Sequence, residues 1–199
     1  DVDGIDALPK ENSIVTIGRL GIPEKNSSLL LRAIEKMPES LVKKWKFLLI
    51  GPSTQQFIDE VHHFKISHPN VADSIIMVGP VTDRNELYTY GRKAKIICMT
   101  SRSEGACIST LESMYFGAYP IITNYSDFAL DTTNKGSCGI IVENGNADEL
   151  AQQLINAMKN DNLLINCNKS QDYARSAFNY RELSYKLDLI LRRYMETNG

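Results

Sequence analysis

At 199 residues, with 43% apolar and 23% charged side chains, the chain is long enough to bury one full core and is neither disordered nor fibrous. Its net charge of −2 gives no broad electrostatic footprint for a nucleic acid or an anionic membrane. No apolar run approaches the ~20 residues of a membrane helix, no secretory signal opens the chain, and the lack of an initiator Met points to a fragment or processed product.

Along the chain two hydrophobic periods alternate. Residues 13–18 (SIVTIG) read as a strand, and residues 25–37 as a helix with Leu29, Leu30, Ala33, Ile34 and Met37 on one face. Strand runs follow at 45–51, 74–79, 95–99, 120–123 and 139–142, with helices between them at 54–66, 85–94 and 108–116. Three helices end the chain, at 147–158, 163–176 and 181–194. The strand runs are nearly continuous in Val and Ile, the signature of parallel strands covered on both faces. The expected fold is α/β: a doubly wound, mainly parallel, six-stranded Rossmann-like sheet with a helical C-terminal extension. Ligands of such sheets bind beyond the strands' carboxyl ends, here the loops after Gly18, Gly51, Gly79 and Met99.

The segment from Thr100 to Glu112 leaves a strand and enters a helix, with Glu104 in the loop and Glu112 about one turn inside the helix. Gly105 lets backbone come close to a ligand. The helix start near Ile108 offers unpaired N–H groups and the positive end of a dipole. An anion there, with hydroxyl-bearing groups on either side for the two carboxylates, describes a nucleotide sugar. The bland account is that both Glu are surface acids. Against it stands a second constellation, Gly18-Arg19-x5-Lys25, in which two cations follow the first strand. Lys25 is expected to open the next helix, where a cation is disfavoured unless an anion offsets it. Two cations and a helix N-terminus neutralise a diphosphate without a metal.

Gly-Arg-x5-Lys, followed by Ser-x2-Glu-Gly-x6-Glu-Ser-Met-x2-Gly-x2-Pro-Ile-Ile, resembles the donor-binding half of retaining glycosyltransferases of the GT-B fold, family 4 type. The resemblance runs from Ser13 to about Tyr194. It implies transfer of a sugar from a nucleoside-diphosphate sugar (UDP- or GDP-linked) to an acceptor, with retention at the anomeric carbon and no cofactor or metal. It assigns Arg19 and Lys25 to the diphosphate, Glu104 to the donor sugar and Glu112 to the ribose. Backbone at Gly18, Gly105, Ala106, Cys107, Ile108 and Ser109 would touch sugar and phosphates, and the loop containing Val81 would touch the base. Ala106 and Cys107 depart from the family's usual residues beside the sugar, which bears on donor identity. The resemblance also implies an organisation: residues 1–12 as a linker from an absent acceptor-binding N-terminal domain, 13–178 as the donor domain, and 179–199 as a helix crossing toward the absent domain. The expected setting is the cytoplasm, with room for peripheral attachment of the full enzyme to a membrane, and nucleic acid is not an expected partner.

Two other readings share this pattern: a nucleotide-sugar epimerase or glucan phosphorylase-like enzyme, and a non-catalytic nucleotide-binding or interaction module. Other motifs read as structural. Asp1-Val2-Asp3 matches an Asp-x-Asp metal signature but has no strand of its own and is expected to be linker. His62, His63 and His68 have no metal-binding spacing. Cys98, Cys107, Cys138 and Cys167 lack a Cys-x-x-Cys pair and predict free thiols in a reducing compartment. Cys107 near a helix start would have a lowered pKa, but no base accompanies it. Asn26, Asn124 and Asn168 open Asn-x-Ser triplets that matter only in a secreted chain.

Overall fold

Residues 8–198 are described by the structure, a computed structural model; Asp1-Val2-Asp3 lies outside them. The six apolar runs form β1 (Glu11–Ile17), β2 (Lys46–Ile50), β3 (Ile75–Gly79), β4 (Ala94–Met99), β5 (Tyr119–Thr123) and β6 (Ile140–Val142). Between and after them lie α1 (Ser28–Glu35), α2 (Glu39–Val42), α3 (Gln55–Ser67), α4 (Arg84–Lys93), α5 (Ile108–Tyr115), α6 (Phe128–Thr132), α7 (Ala147–Lys159), α8 (Leu163–Ala177) and α9 (Tyr180–Asn198). Every neighbouring pair of strands is parallel, in the order β3-β2-β1-β4-β5-β6. The order reverses between β1 and β4, where Ile14 pairs with Ile96 and Val15 with Ile97. This is the doubly wound sheet expected from the sequence, and it is parallel throughout.

Successive strand residues point to opposite faces, and the core divides accordingly. Ile14, Leu49 and Ile96 join Leu29, Leu30 and Ile34 of α1, Phe57 and Val61 of α3, and Leu150 and Leu154 of α7. Their chain neighbours Val15, Ile50 and Ile97 join Met114 of α5 and Ala174 of α8, with Leu87 and Tyr90 of α4 alongside. Helices therefore cover both faces, which is why the strands show no polar alternation.

Two details differ from the sequence reading. The first helix begins at Ser28, so Lys25 stands in the preceding loop. Asn26 there takes a left-handed backbone, φ 44°, which a helix excludes, and the Gly21 N–H donates to Ser27 Oγ across the loop. The short helices α2 and α6 add to the predicted set. Each is too short to display a helical period. α9 carries Leu183, Leu187, Ile190, Leu191 and Tyr194 exposed to solvent. No described helix is long and apolar enough to cross a membrane.

Below the sheet, Lys10 ties the carboxyl ends of two helices together. Its ammonium donates to the carbonyls of Gly91 (3.2 Å), Ala94 (2.8 Å) and Phe116 (2.8 Å), at the carboxyl ends of α4 and α5. Burial lowers its pKa to about 8. Helix C-terminal carbonyls lack intrahelical donors and carry partial negative charge, so a cation is favoured there. We expect Lys10→Met to lower unfolding free energy by about 2–4 kcal/mol, because it strands several part-buried acceptors at once. Urea denaturation measures this, and a change under about 0.5 kcal/mol, the range of an ordinary surface substitution, would show that the clamp is idle.

Candidate functional site

All strands run the same way, so the loops after β1, β2, β3 and β4 emerge on one rim. Gly18 and Gly51 meet there back to back: a β-carbon on Gly51 would lie 2.0 Å from the Gly18 carbonyl oxygen, and Gly51 has φ 126°. Only glycine fits such an approach. The crevice opens at the reversal between β1 and β4, the place where parallel sheets bind ligands.

Two loops distant in sequence are joined over it. The Arg102 N–H donates to the Glu24 carbonyl at 2.7 Å, and Thr100 Oγ1 donates to the Lys25 carbonyl at 3.0 Å. Ser109 Oγ, in the first turn of α5, donates to the carbonyl of Ile17 at the end of β1 (3.1 Å). The joined loops enclose a cleft of about 440 Å³ lined by Gly18, Arg19, Lys25, Glu104, Gly105 and Ser109. A β-carbon built on Gly105 would meet nothing within 4 Å, so the space beside it is open.

Within the cleft the Lys25 ammonium is ion-paired with Glu104 Oε1, the two side chains only 18% and 14% exposed. Ser101 Oγ donates to the same oxygen at 2.6 Å, and Thr123 Oγ1 at the end of β5 donates to the Ser101 carbonyl at 2.5 Å. Sequence reasoning missed this support. Ser101 stands in the Ser-x2-Glu-Gly motif, but nothing local marks it as the partner of Glu104, and Thr123 carries no signal at all. Arg19 is exposed at the cleft mouth, with no hydrogen bond or ion pair to the described residues. Its charge is therefore open to an anion. No side chain caps α5, which leaves the Ile108 and Ser109 N–H groups without intrahelical acceptors at its positive end.

Glu112 lies farther along α5. Ile17 and Ser109 line both the cleft and the adjoining hollow that Glu112 shares with Tyr88, so the two carboxylates border one continuous rim. Arg84 Nη2 meets Glu112 Oε1 at 2.5 Å, and Tyr88 OH is 3.4 Å from the same oxygen. Arg84, missed by the sequence reading, has its pKa raised by the Tyr88 hydrogen bond and the Glu112 charge. Val81 is half-buried three residues before α4, on the β3 side of the rim.

The side chains of the α5 entry are placed differently from one another. Ala106 is exposed. Ile108 points away from the cleft into a groove of about 600 Å³ shared with Leu111 and Tyr115. Cys107 adopts a left-handed backbone, φ 39°, and buries its side chain among Met99, Ile122, Tyr125 and Ala129. Its thiol therefore contradicts the lowered pKa expected at a helix start. Burial pushes it up, outweighing the Thr110 hydrogen bond and the Lys25 charge. At most the backbones of Cys107 and Ile108 can face a ligand in the cleft. His68 stacks on Phe64 with centroids 4.5 Å apart and lies 3.4 Å from Glu35, a structural role. Among the described residues no group of three His, Cys, Asp or Glu side chains is arranged to hold a metal ion.

The family model of glycosyl transferases group 1 matches residues 4–177. A curated relative from Campylobacter jejuni, GalNAc-alpha-(1->4)-GalNAc-alpha-(1->3)-diNAcBac-PP-undecaprenol alpha-1,4-N-acetyl-D-galactosaminyltransferase, is 30% identical over 145 residues, 73% of this chain and 37% of its own length. Among solved structures, HepE from Anabaena in complex with UDP superposes with a TM-score of 0.77 at 17% identity, over 92% of this chain and 49% of that one. The C-terminal domain of a glycosyl transferase group 1 family protein (LpcC) from Francisella tularensis superposes at 0.68 and 19% identity, over 85% and 88%. The chain thus spans less than half the length of the C. jejuni and Anabaena proteins and most of the isolated Francisella domain.

Two outcomes follow from this geometry. Lys25→Met should cost about 1–3 kcal/mol by leaving Glu104 uncompensated, and a Lys25→Met/Glu104→Leu double variant should lose less than the two single losses combined. Additive losses in a denaturation cycle would show that the pair is not coupled. All four buried cysteines should resist alkylation in the native protein at neutral pH and react only on unfolding. Rapid labelling of Cys107 would contradict its placement.

Proposed function

The chain belongs to the glycosyl transferases group 1 family, and from that premise we propose that it is the donor-binding part of an enzyme that moves a sugar from a nucleoside-diphosphate sugar to an acceptor, with retention at the anomeric carbon. The observation that carries the reading is the meeting of Arg19, Lys25, Glu104 and the uncapped N-terminus of α5 around one cleft at the β1–β4 reversal.

In this reading the diphosphate lies between Arg19 and the first amides of α5. Lys25 has three N–H donors and gives one to Glu104, so two remain for phosphate oxygens. It links the group that neutralises the leaving diphosphate to the group that orients the sugar. Charge accumulates on the diphosphate as the glycosidic bond breaks, and preorganised donors aimed at it are usually the largest catalytic contribution. Glu104 accepts from sugar hydroxyls, Glu112 from the ribose, and backbone near Val81 meets the base. The UDP bound to HepE supports a nucleotide ligand of this kind, and UDP- and GDP-sugars are the candidate donors. The cations and the helix end supply the counter-charge, so the scheme calls for no metal.

The acceptor site belongs to the part of the parent protein that this chain does not cover. The exposed apolar face of α9 supports contact with that part. The donor domain starts with Lys10 and with β1 at Glu11, inside the segment 1–12 expected to be linker, because Lys10 and the first β1 residues are built into the sheet and its helix ends. The undecaprenol-linked glycan in the name of the C. jejuni relative supports a parent enzyme that works at a membrane surface by peripheral attachment.

Isothermal titration with UDP-, GDP- and ADP-sugars and the free nucleotides tests the proposal. Glu112→Ala should weaken nucleotide and nucleotide sugar alike, whereas Glu104→Ala should weaken the sugar-bearing donor more than the free nucleotide. Each loss should be about 1.5–3 kcal/mol, one charge-assisted hydrogen bond. Equal losses for both ligands in both variants would refute the division of roles, and no binding of any nucleotide would favour an interaction module. The 199-residue chain should bind without transfer, because half a cleft lacks the proximity of an acceptor. Acceptor-dependent transfer at an ordinary rate would overturn that part.

A further inference from the structure

Arg84 has no evident role in stability. It occupies the first turn of α4, where the helix dipole disfavours a cation. Its side chain is 69% exposed, and exposed ion pairs contribute little to folding. Yet it is held at several points. Nε donates to Tyr88 OH at 3.0 Å one turn on, the guanidinium lies 5.5 Å from the centre of the Tyr88 ring, and Nη2 reaches Glu112 on the neighbouring helix. Tyr88 is fixed in turn by its ring against Phe116, with centroids 5.1 Å apart. The two helices run close here. Gly91 lies so near α5 that a β-carbon on it would stand 3.4 Å from Ser113 Cα.

Both donors converge on Oε1 of Glu112, and Oε2 has no partner among the described residues. We infer that Arg84 and Tyr88 are positioning residues that clamp the Glu112 carboxylate in one plane, leaving Oε2 to accept from a ribose hydroxyl, and that this clamp sets the preference for ribose over deoxyribose. The inference rests on the reading of Glu112 as the ribose ligand. A free carboxylate rotates about its terminal bond and follows a sugar that lacks one hydroxyl. A carboxylate whose Oε1 is held from two directions, by Arg84 Nη2 and by a Tyr88 hydroxyl that Arg84 Nε itself holds, cannot, so a missing hydroxyl leaves Oε2 unpaired.

The test compares affinities of the chain for whichever of UDP, GDP and ADP binds tightest and for its 2′-deoxy counterpart. The variants are Arg84→Gln, Tyr88→Phe, Glu112→Gln and the Arg84→Gln/Glu112→Gln double. The unaltered chain should prefer the ribonucleotide about ten-fold or more, the loss of a hydrogen bond to a charged group. Glu112→Gln should abolish that preference, Arg84→Gln should remove most of it, and Tyr88→Phe should reduce it. The double variant should discriminate no worse than Glu112→Gln alone, with unfolding midpoints unchanged throughout. If Arg84→Gln keeps the full preference, or weakens both nucleotides equally, Arg84 does not act through Glu112 and the inference fails while the ribose reading stands. If Glu112→Gln keeps the preference, or the unaltered chain shows none, the ribose reading fails and the inference with it.

Discussion

The parallel pairing of β1 with β4 is the constraint on which the site depends. It places the loop after β1 beside the loop after β4 at the one point where the sheet's order reverses. Helices on either side diverge there, one set going to each face, and a crevice remains between them. The backbone and hydroxyl bonds that join the loops, Arg102 to Glu24, Thr100 to Lys25 and Ser109 to Ile17, have something to join only because that pairing brings them within reach.

Charge is arranged along the rim in an ordered way. At each flank a carboxylate is held by a cation from another element, Glu104 by Lys25 and Glu112 by Arg84. Each flank is therefore close to neutral and its acceptor oxygens are fixed in place. Between them, Arg19 makes no ion pair with a described residue and the first amides of α5 have no side-chain cap, while Glu24 stands exposed on the cleft wall. Neutral, oriented acceptors on both sides of a positive centre suit a ligand that is anionic in the middle and rich in hydroxyls at its ends. Holding the groups beforehand lowers the ordering cost of binding such a ligand.

Helix direction links this rim to the opposite side of the sheet. In a parallel α/β fold the helix N-termini gather where the strands end, and their C-termini gather below. The carboxyl end of α5 meets Lys10 at Phe116, and Gln171 and Arg175 at Tyr115. Cations and donors there satisfy carbonyls that point away from the cleft. The same dipole that makes the upper end of α5 attractive to an anion is thus compensated below. Residues near the start of the chain consequently help to hold the helix that carries Glu112.

The local pattern by itself determined the class of the fold. Apolar runs without polar alternation belong to strands buried on both faces, and their regular exchange with helical periods leaves the doubly wound sheet as the simplest way to cover them. It also located Arg19 and Glu104 in the loops after strands and Glu112 inside the helix that follows, because these positions follow from where a strand stops and a helix begins. Only the tertiary structure decided what those groups touch. Lys25 left its expected helix because Asn26 turned left-handed inside a loop folded on itself. Its partner Glu104 is 79 residues away and Arg84 is 28 from Glu112, separations that no periodic pattern encodes. Cys107 became a buried thiol with a raised pKa because the pocket that closes over it is built from β4, β5 and the segment around α6. Periodicity records which way a side chain faces along its own element, and the pairings that make the site arise between elements.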